Sequence, residues 1–173
     1  MKVSIVVTHL LGTGHLARAL TLARAFVAGG HSATVISGGM HAPHLDGEGV
    51  EQVQLPPLRS DGADFAQLLD QSGHIAGDAI FSARSAILAE HVQTAQPDVL
   101  ITELFPFGRR TLTAEFVALL EAAHRLPRRP LICASIRDIL APPSKQLAGV
   151  RQACRQVALY WLCRATAAVA TPR

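Results

Sequence analysis

The strongest constraint on this chain is its first forty residues, where the periodicity switches from strand to helix and back. Residues 2–8 (Lys-Val-Ser-Ile-Val-Val-Thr) form a β-branched apolar run, as expected of a strand buried on both faces of a parallel sheet. A turn follows at Leu11-Gly12-Thr13-Gly14. Leu16, Ala19, Leu20, Ala23 and Val27 then repeat at helical spacing, and Gly29-Gly30 ends the helix. Residues 32–37 (Ser-Ala-Thr-Val-Ile-Ser) return to strand character and stop at Gly38-Gly39. This is a βαβ unit, and it commits the chain to a right-handed crossover between parallel strands.

The same alternation continues. Residues 51–55 predict a third, peripheral strand, 79–95 a helix with Ile80, Ala83, Ile87 and Val92 on one face, and 98–102 a fourth strand. Residues 111–124 predict a helix along Leu112, Phe116, Leu119, Leu120 and Ala123, and 131–135 a fifth strand. Residues 56–77, rich in Gly and Pro, read as loop, and 144–168 as a final helix. The expected fold class is α/β, a Rossmann-like parallel sheet with helices on both faces. The 173 residues, 49% hydrophobic and 17% charged, suffice for one core and exclude a disordered chain. No apolar run reaches the ~18 residues of a membrane span, and the N-terminus lacks the features of a secretory signal. The expected location is the cytoplasm. Cys133, Cys154 and Cys163 match no zinc spacing.

Charge is unevenly spread. The chain carries +3, yet residues 1–138 carry a net −2, because Lys145, Arg151, Arg155, Arg164 and Arg173 follow the last acid, Asp138. The sequence pI of about 9.1 therefore reflects the tail and gives no support to nucleic-acid binding.

Ligands of such sheets bind at the carboxyl ends of the strands, near the point where strand order reverses. That rule singles out residues 9–15, 37–44, 103–110 and 136–140. Gly12-Thr13-Gly14-His15-Leu16-Ala17 fits G-x-G-x-x-A, but the second strand closes on Ser37-Gly38-Gly39, and no acid appears before Asp46 to hold a ribose. A dinucleotide site is therefore disfavoured. The loop does offer backbone room at Gly12 and Gly14 and the unpaired N–H groups of a helix start. His15, placed there, has its cation disfavoured, and a neutral imidazole can take a proton from a hydroxyl; capping or packing at the helix start is the competing role. Arg109-Arg110 could hold a phosphate or simply start a helix. Arg137-Asp138 could be a cleft ion pair or a local one. His41 and His44 lack a third metal ligand, and no metal is expected.

Residues 14–26 (Gly-His-Leu-Ala-Arg-Ala-Leu-Thr-Leu-Ala-Arg-Ala-Phe), then Gly30-His31 and the strand at Ala33-Thr34-Val35-Ile36, resemble the opening of GT-B glycosyltransferases, closest to the bacterial MurG-like group (glycosyltransferase family 28-like). Residues 102–110 (Thr-Glu-Leu-Phe-Pro-Phe-Gly-Arg-Arg) and 135–140 (Ser-Ile-Arg-Asp-Ile-Leu) resemble a set of predicted bacterial glycosyltransferases of that kind. The resemblance covers roughly residues 1–143 and implies the N-terminal, acceptor-side Rossmann-like domain of the two-domain fold. It implies that His15 is the general base and Glu103 the acid that orients it. It places Gly12, Thr13, Gly14, Phe105, Arg109 and Arg137 on the acceptor side. This chain has Gly12-Thr13-Gly14-His15 where MurG-like enzymes have a further glycine before the His, which weakens the case for a lipid diphosphate acceptor.

The resemblance stops near residue 143. Residues 144–173, acid-free and rich in Arg and Ala, read as a basic helical tail, and the composition is that of a truncated or frameshifted end. The implied function is the acceptor-binding half of a nucleotide-sugar-dependent hexosyltransferase, inactive alone because the donor domain is absent. The alternatives are a stand-alone Rossmann-like binding module and the acceptor subunit of a two-chain glycosyltransferase. No cofactor is expected on this half. The implied partners are a sugar or lipid-linked acceptor, a separate donor-domain chain and peripheral contact with a membrane, but no nucleic acid.

Overall fold

The computed structural model describes residues 1–62 and 67–136, together with the backbone of residues 159–162. In chain order the elements are β1 (Lys2–Val7), α1 (Gly14–Ala28), β2 (Ser32–Ser37), β3 (Glu51–Gln54), α2 (Asp78–Ala95) and β4 (Val99–Glu103). A short 3-10 turn (Arg110–Leu112) then leads into α3 (Thr113–His124), β5 (Leu131–Ile136) and β6 (Leu159–Leu162). All strands are parallel, in the order β3-β2-β1-β4-β5-β6. Strand order reverses between β1 and β4, so the crevice of the doubly wound sheet opens over their carboxyl ends.

Side chains alternate across the pleat and build two cores. Val3, Ile5, Val7, Val35, Ile101 and Cys133 face α1, which buries Leu16, Ala19, Leu20 and Ala23 against them. Val6, Ile36, Leu100, Ile132 and Ala134 face α2 and α3, which contribute Leu88, Val92, Phe116, Leu119 and Leu120. A 15-residue helix is marginal in isolation. Each large aliphatic side chain buried beneath α1 adds about 1.5–3 kcal/mol, so tertiary packing holds it.

Helix α2 departs from the sequence reading. It buries Arg84, Leu88 and Val92, whereas Ala83 is exposed. The reason is a buried ion pair. Arg84 donates to Glu115 from Nε (2.6 Å) and Nη2 (2.9 Å), to the carbonyls of Gly38 (2.9 Å) and Pro56 (2.6 Å), and to Thr8 Oγ1 (3.2 Å). One guanidinium thus fastens α2 and α3 to the carboxyl ends of β1 and β2. Gly38 stands against it, where any Cβ would meet Thr8 and Arg84.

The helix expected over 144–168 is corrected at residues 159–162, which form β6 and pair with Cys133–Ile136 of β5. Leu-Tyr-Trp-Leu favours a strand, and pairing there covers an edge that β5 would otherwise expose. The rest of the tail lies outside the described residues, as do Arg137 and Asp138. No helix among the described residues is long and apolar enough to cross a membrane.

Candidate functional site at the strand-order reversal

Four segments converge where β1 and β4 part. The loop after β1 enters α1 through Thr13, whose side chain makes no cap, and the first intrahelical bond runs from Ala17 N to Thr13 O at 2.9 Å. The amides preceding Ala17 therefore have no intrahelical acceptor. Gly12 is exposed, with nothing within 4 Å of where a Cβ would sit. The loop is a bare surface beside the helix start.

His15, in the first turn of α1, lies over the end of β4. Its Nδ1 is 3.1 Å from Glu103 Oε1. A carboxylate only accepts, so Nδ1 carries a proton, and in the neutral imidazole Nε2 keeps a bare lone pair. The imidazole is 20% exposed and the carboxylate 2%: one end of the pair is open and the other is anchored. Arg18, one turn further along α1, lies on the other side of Glu103, with Nε 3.7 Å from Oε2. Its Nη2 donates to Ser135 Oγ (2.9 Å) and to the Ile136 carbonyl (3.1 Å), so it also ties α1 to the end of β5. Sequence reasoning missed Arg18. The available signal was spacing: residues three apart on a helix share a face.

Beside this pair stand His9 and Arg109. His9 is 4% exposed, and its Nε2 bonds to the Met40 carbonyl at 2.9 Å. Burial lowers its pKa; the bond to Met40 opposes this, and the positive charges of Arg109 and His15 reinforce it. Its neutral form is therefore favoured, with Nε2 donating and Nδ1, which has no partner among the described residues, left as an acceptor. Arg109 is half-buried and donates from Nε to the Thr8 carbonyl at 2.6 Å. Burial draws its pKa below the usual arginine value, while Glu103 pulls it back up.

The structure brings together Gly12, Thr13, Gly14, His15, Glu103 and Arg109. It does not bring Phe105 to the surface. That expectation is corrected: Phe105 is 1% exposed and stacks on Phe116, with ring centroids 4.7 Å apart and planes 7° apart. A ring packed in this way offers no surface to a ligand. Arg137 lies outside the described residues. Arg110 is exposed and starts the 3-10 turn. His41 and His44 lie exposed on the loop after β2. Two cavities of about 360 and 450 Å³ lie elsewhere. One is at the amino ends of β1–β3, where Ser4 Oγ meets His91 Nε2 at 2.8 Å, and the other is between α2 and α3.

The sheet order, the helices on both faces and the crevice at β1 and β4 define the class: this is an α/β Rossmann-like domain, and its fold is one that solved glycosyltransferases share. Comparison with solved structures supports that assignment. MurG from Acinetobacter baumannii superposes with a TM-score of 0.56 over 99% of this chain and 43% of its own, at 15% identity. A glycosyltransferase from Rickettsia africae gives 0.51 over 83% of this chain and 31% of its own, at 14% identity. A putative UDP-N-acetylglucosamine 2-epimerase from Listeria monocytogenes gives 0.51 over 93% of this chain and 39% of its own, at 12% identity. The chain thus spans less than half the length of these proteins, and at such identities the likeness is one of fold. No family model matches the sequence, and no curated protein matches it.

Proposed function

We propose that this chain is the acceptor-side half of a nucleotide-sugar-dependent glycosyltransferase, with His15 as general base and Glu103 as the residue that orients it. A fold can host several chemistries, so the reading rests on the site. Its main support is the 3.1 Å contact between His15 Nδ1 and Glu103 Oε1 at the reversal of strand order.

An acceptor hydroxyl placed against Nε2 would lose its proton to that lone pair as its oxygen attacks the anomeric carbon of the donor sugar. The bond from that carbon to the nucleoside diphosphate breaks, and the diphosphate departs with the electron pair. Glu103 stabilises the imidazolium that forms and fixes the tautomer able to accept the proton. Arg18 keeps the carboxylate in place. The donor is held by a second domain or a separate chain, so this chain alone should not transfer sugar.

The test is sugar transfer by this chain combined with its donor half, followed as release of nucleoside diphosphate. Proton transfer by a positioned base contributes about 10²–10⁴-fold, and His15→Ala should lose turnover on that scale while the chain keeps its melting temperature. Unchanged turnover would remove His15 from the reaction. Transfer by the isolated chain would overturn the half-site reading.

A further inference from the structure

Arg109 occupies an unusual position that the proton-transfer reading leaves unused. Its backbone is left-handed, with φ +61°, and Leu104, at the other end of the same loop, has φ +70°. For residues bearing a Cβ, that conformation costs about 1–2 kcal/mol each. The loop is pinned in this shape by Arg109 Nε, which donates to the Thr8 carbonyl at the end of β1. Nε is thereby spent on the backbone. The two Nη groups make no hydrogen bond among the described residues.

This guanidinium makes no ion pair among the described residues, although the charge of Glu103 favours its cation from a distance. The neighbouring carboxylate, Glu103, is already shared between His15 and Arg18 and forms no ion pair with Arg109. His9, beside it, is held towards its neutral form. A fixed, half-buried fork of donors next to a proton acceptor matches a pair of oxygens on a carboxylate or phosphate.

We propose that Arg109 is the anion-binding residue of this cleft, and that the acceptor carries a carboxylate or phosphate beside the hydroxyl presented to His15. This rests on the acceptor-site reading above and narrows the class of substrate. The guanidinium grips the anionic group through its free edge while Nε holds the fork against β1. The hydroxyl is then set towards His15 Nε2 in the same molecule.

The experiment is calorimetric titration of the full chain at constant ionic strength with glucose 6-phosphate, glucuronate and, for comparison, glucose. The expected result is saturable binding of at least one of the two anionic sugars and none of glucose; whichever anion binds tighter identifies the oxygen group preferred. Arg109→Met should weaken that binding about tenfold or more, as loss of a charge-assisted hydrogen-bonded pair does. Arg109→Lys keeps the charge but loses the fork and should weaken it by a smaller factor; it decides the matter if the Met variant fails to fold. Equal binding of glucose and the anions, wild-type affinity in both Arg109 variants, or an equal loss in Arg110→Ala would each overturn the proposal; the last would show general attraction to positive charge. These titrations need neither the donor half nor turnover. If the anion binds through Arg109 but His15→Ala leaves turnover intact, the base assignment fails and the anion site stands; the converse results would reject the anion site alone.

Discussion

Replacing Glu115 with glutamine should be among the most damaging single changes in the chain, although both side chains are polar and close in shape. Arg84 is fully buried at 0% exposure, and Glu115 is 3% exposed. Two of the five bonds made by the guanidinium go to that carboxylate, at 2.6 and 2.9 Å. The amide introduced by Glu115→Gln would present one acceptor and no charge and would turn an NH2 donor towards the guanidinium, leaving a desolvated cation held by neutral acceptors alone. Removing one partner of a buried pair costs about 3–5 kcal/mol, because the remaining charge stays uncompensated. For a chain of this size, that corresponds to a drop in melting temperature of roughly 10 °C. The natural control is on α3 itself: Arg125 Nη2 lies 3.0 Å from Glu121 Oε2, with both side chains largely exposed. Such pairs contribute about 0–1 kcal/mol, so Glu121→Gln should shift the urea midpoint little. Urea denaturation of the two variants, followed by circular dichroism, gives the comparison directly. A loss below about 1 kcal/mol in Glu115→Gln, matching the surface pair, would show that water reaches Arg84 and would refute the clamp.

Two further expectations follow from burial. Phe105→Ala removes a side chain that is 1% exposed and stacked on Phe116, and it should cost about 3–5 kcal/mol in a denaturation experiment. A near-neutral result would return Phe105 to the surface. His9 and His91 both have pKa values lowered chiefly by burial, so the unfolded imidazoles bind protons at higher pH than the folded ones. Their contribution to stability is complete above the unfolded value of about 6.5. It is lost as pH falls through the lower folded values, by up to ~1.4 kcal/mol per pH unit for each group. His9→Gln should flatten that acid limb when stability is measured across about pH 4–8, and an unaltered slope would count against a neutral, buried His9.

The strands and helices of the first 136 residues were legible because burial writes directly into periodicity. Continuous apolar runs gave β1, β2, β4 and β5 to within a residue or two, and glycines marked the ends of α1 and β2. The meeting of His15 with Glu103 was legible only through the family resemblance, and the structure supplies the physical reason: with β1 and β4 as neighbours, the first turn of α1 overhangs the end of β4. Charged residues were harder. Arg84 and Arg18 carried no signal in the sequence, because their acidic partners lie 31 and 85 residues away in the chain. Phe105 read as an acceptor-side residue because it lies in the stretch that carries the family resemblance, but the chain turns inward there and stacks its ring on Phe116 of α3. In residues 159–162 the same aromatic and leucine side chains suit a helix or an edge strand, and the open edge of β5 decides between them.

Glu103 receives one partner from the first turn of α1 and another a turn later, and the second of these, Arg18, also grips the end of β5. The imidazole–carboxylate pair therefore exists only when β1, β4 and β5 are laid side by side and α1 is seated across them. A fragment ending before β4 could form a helix and two paired strands yet hold no trace of the site. The environment of the His15 ring is thus a local gauge of global assembly: a variant that keeps its helical signal but loses the His15–Glu103 contact has come apart between β1 and β4, the seam on which the proposed chemistry depends.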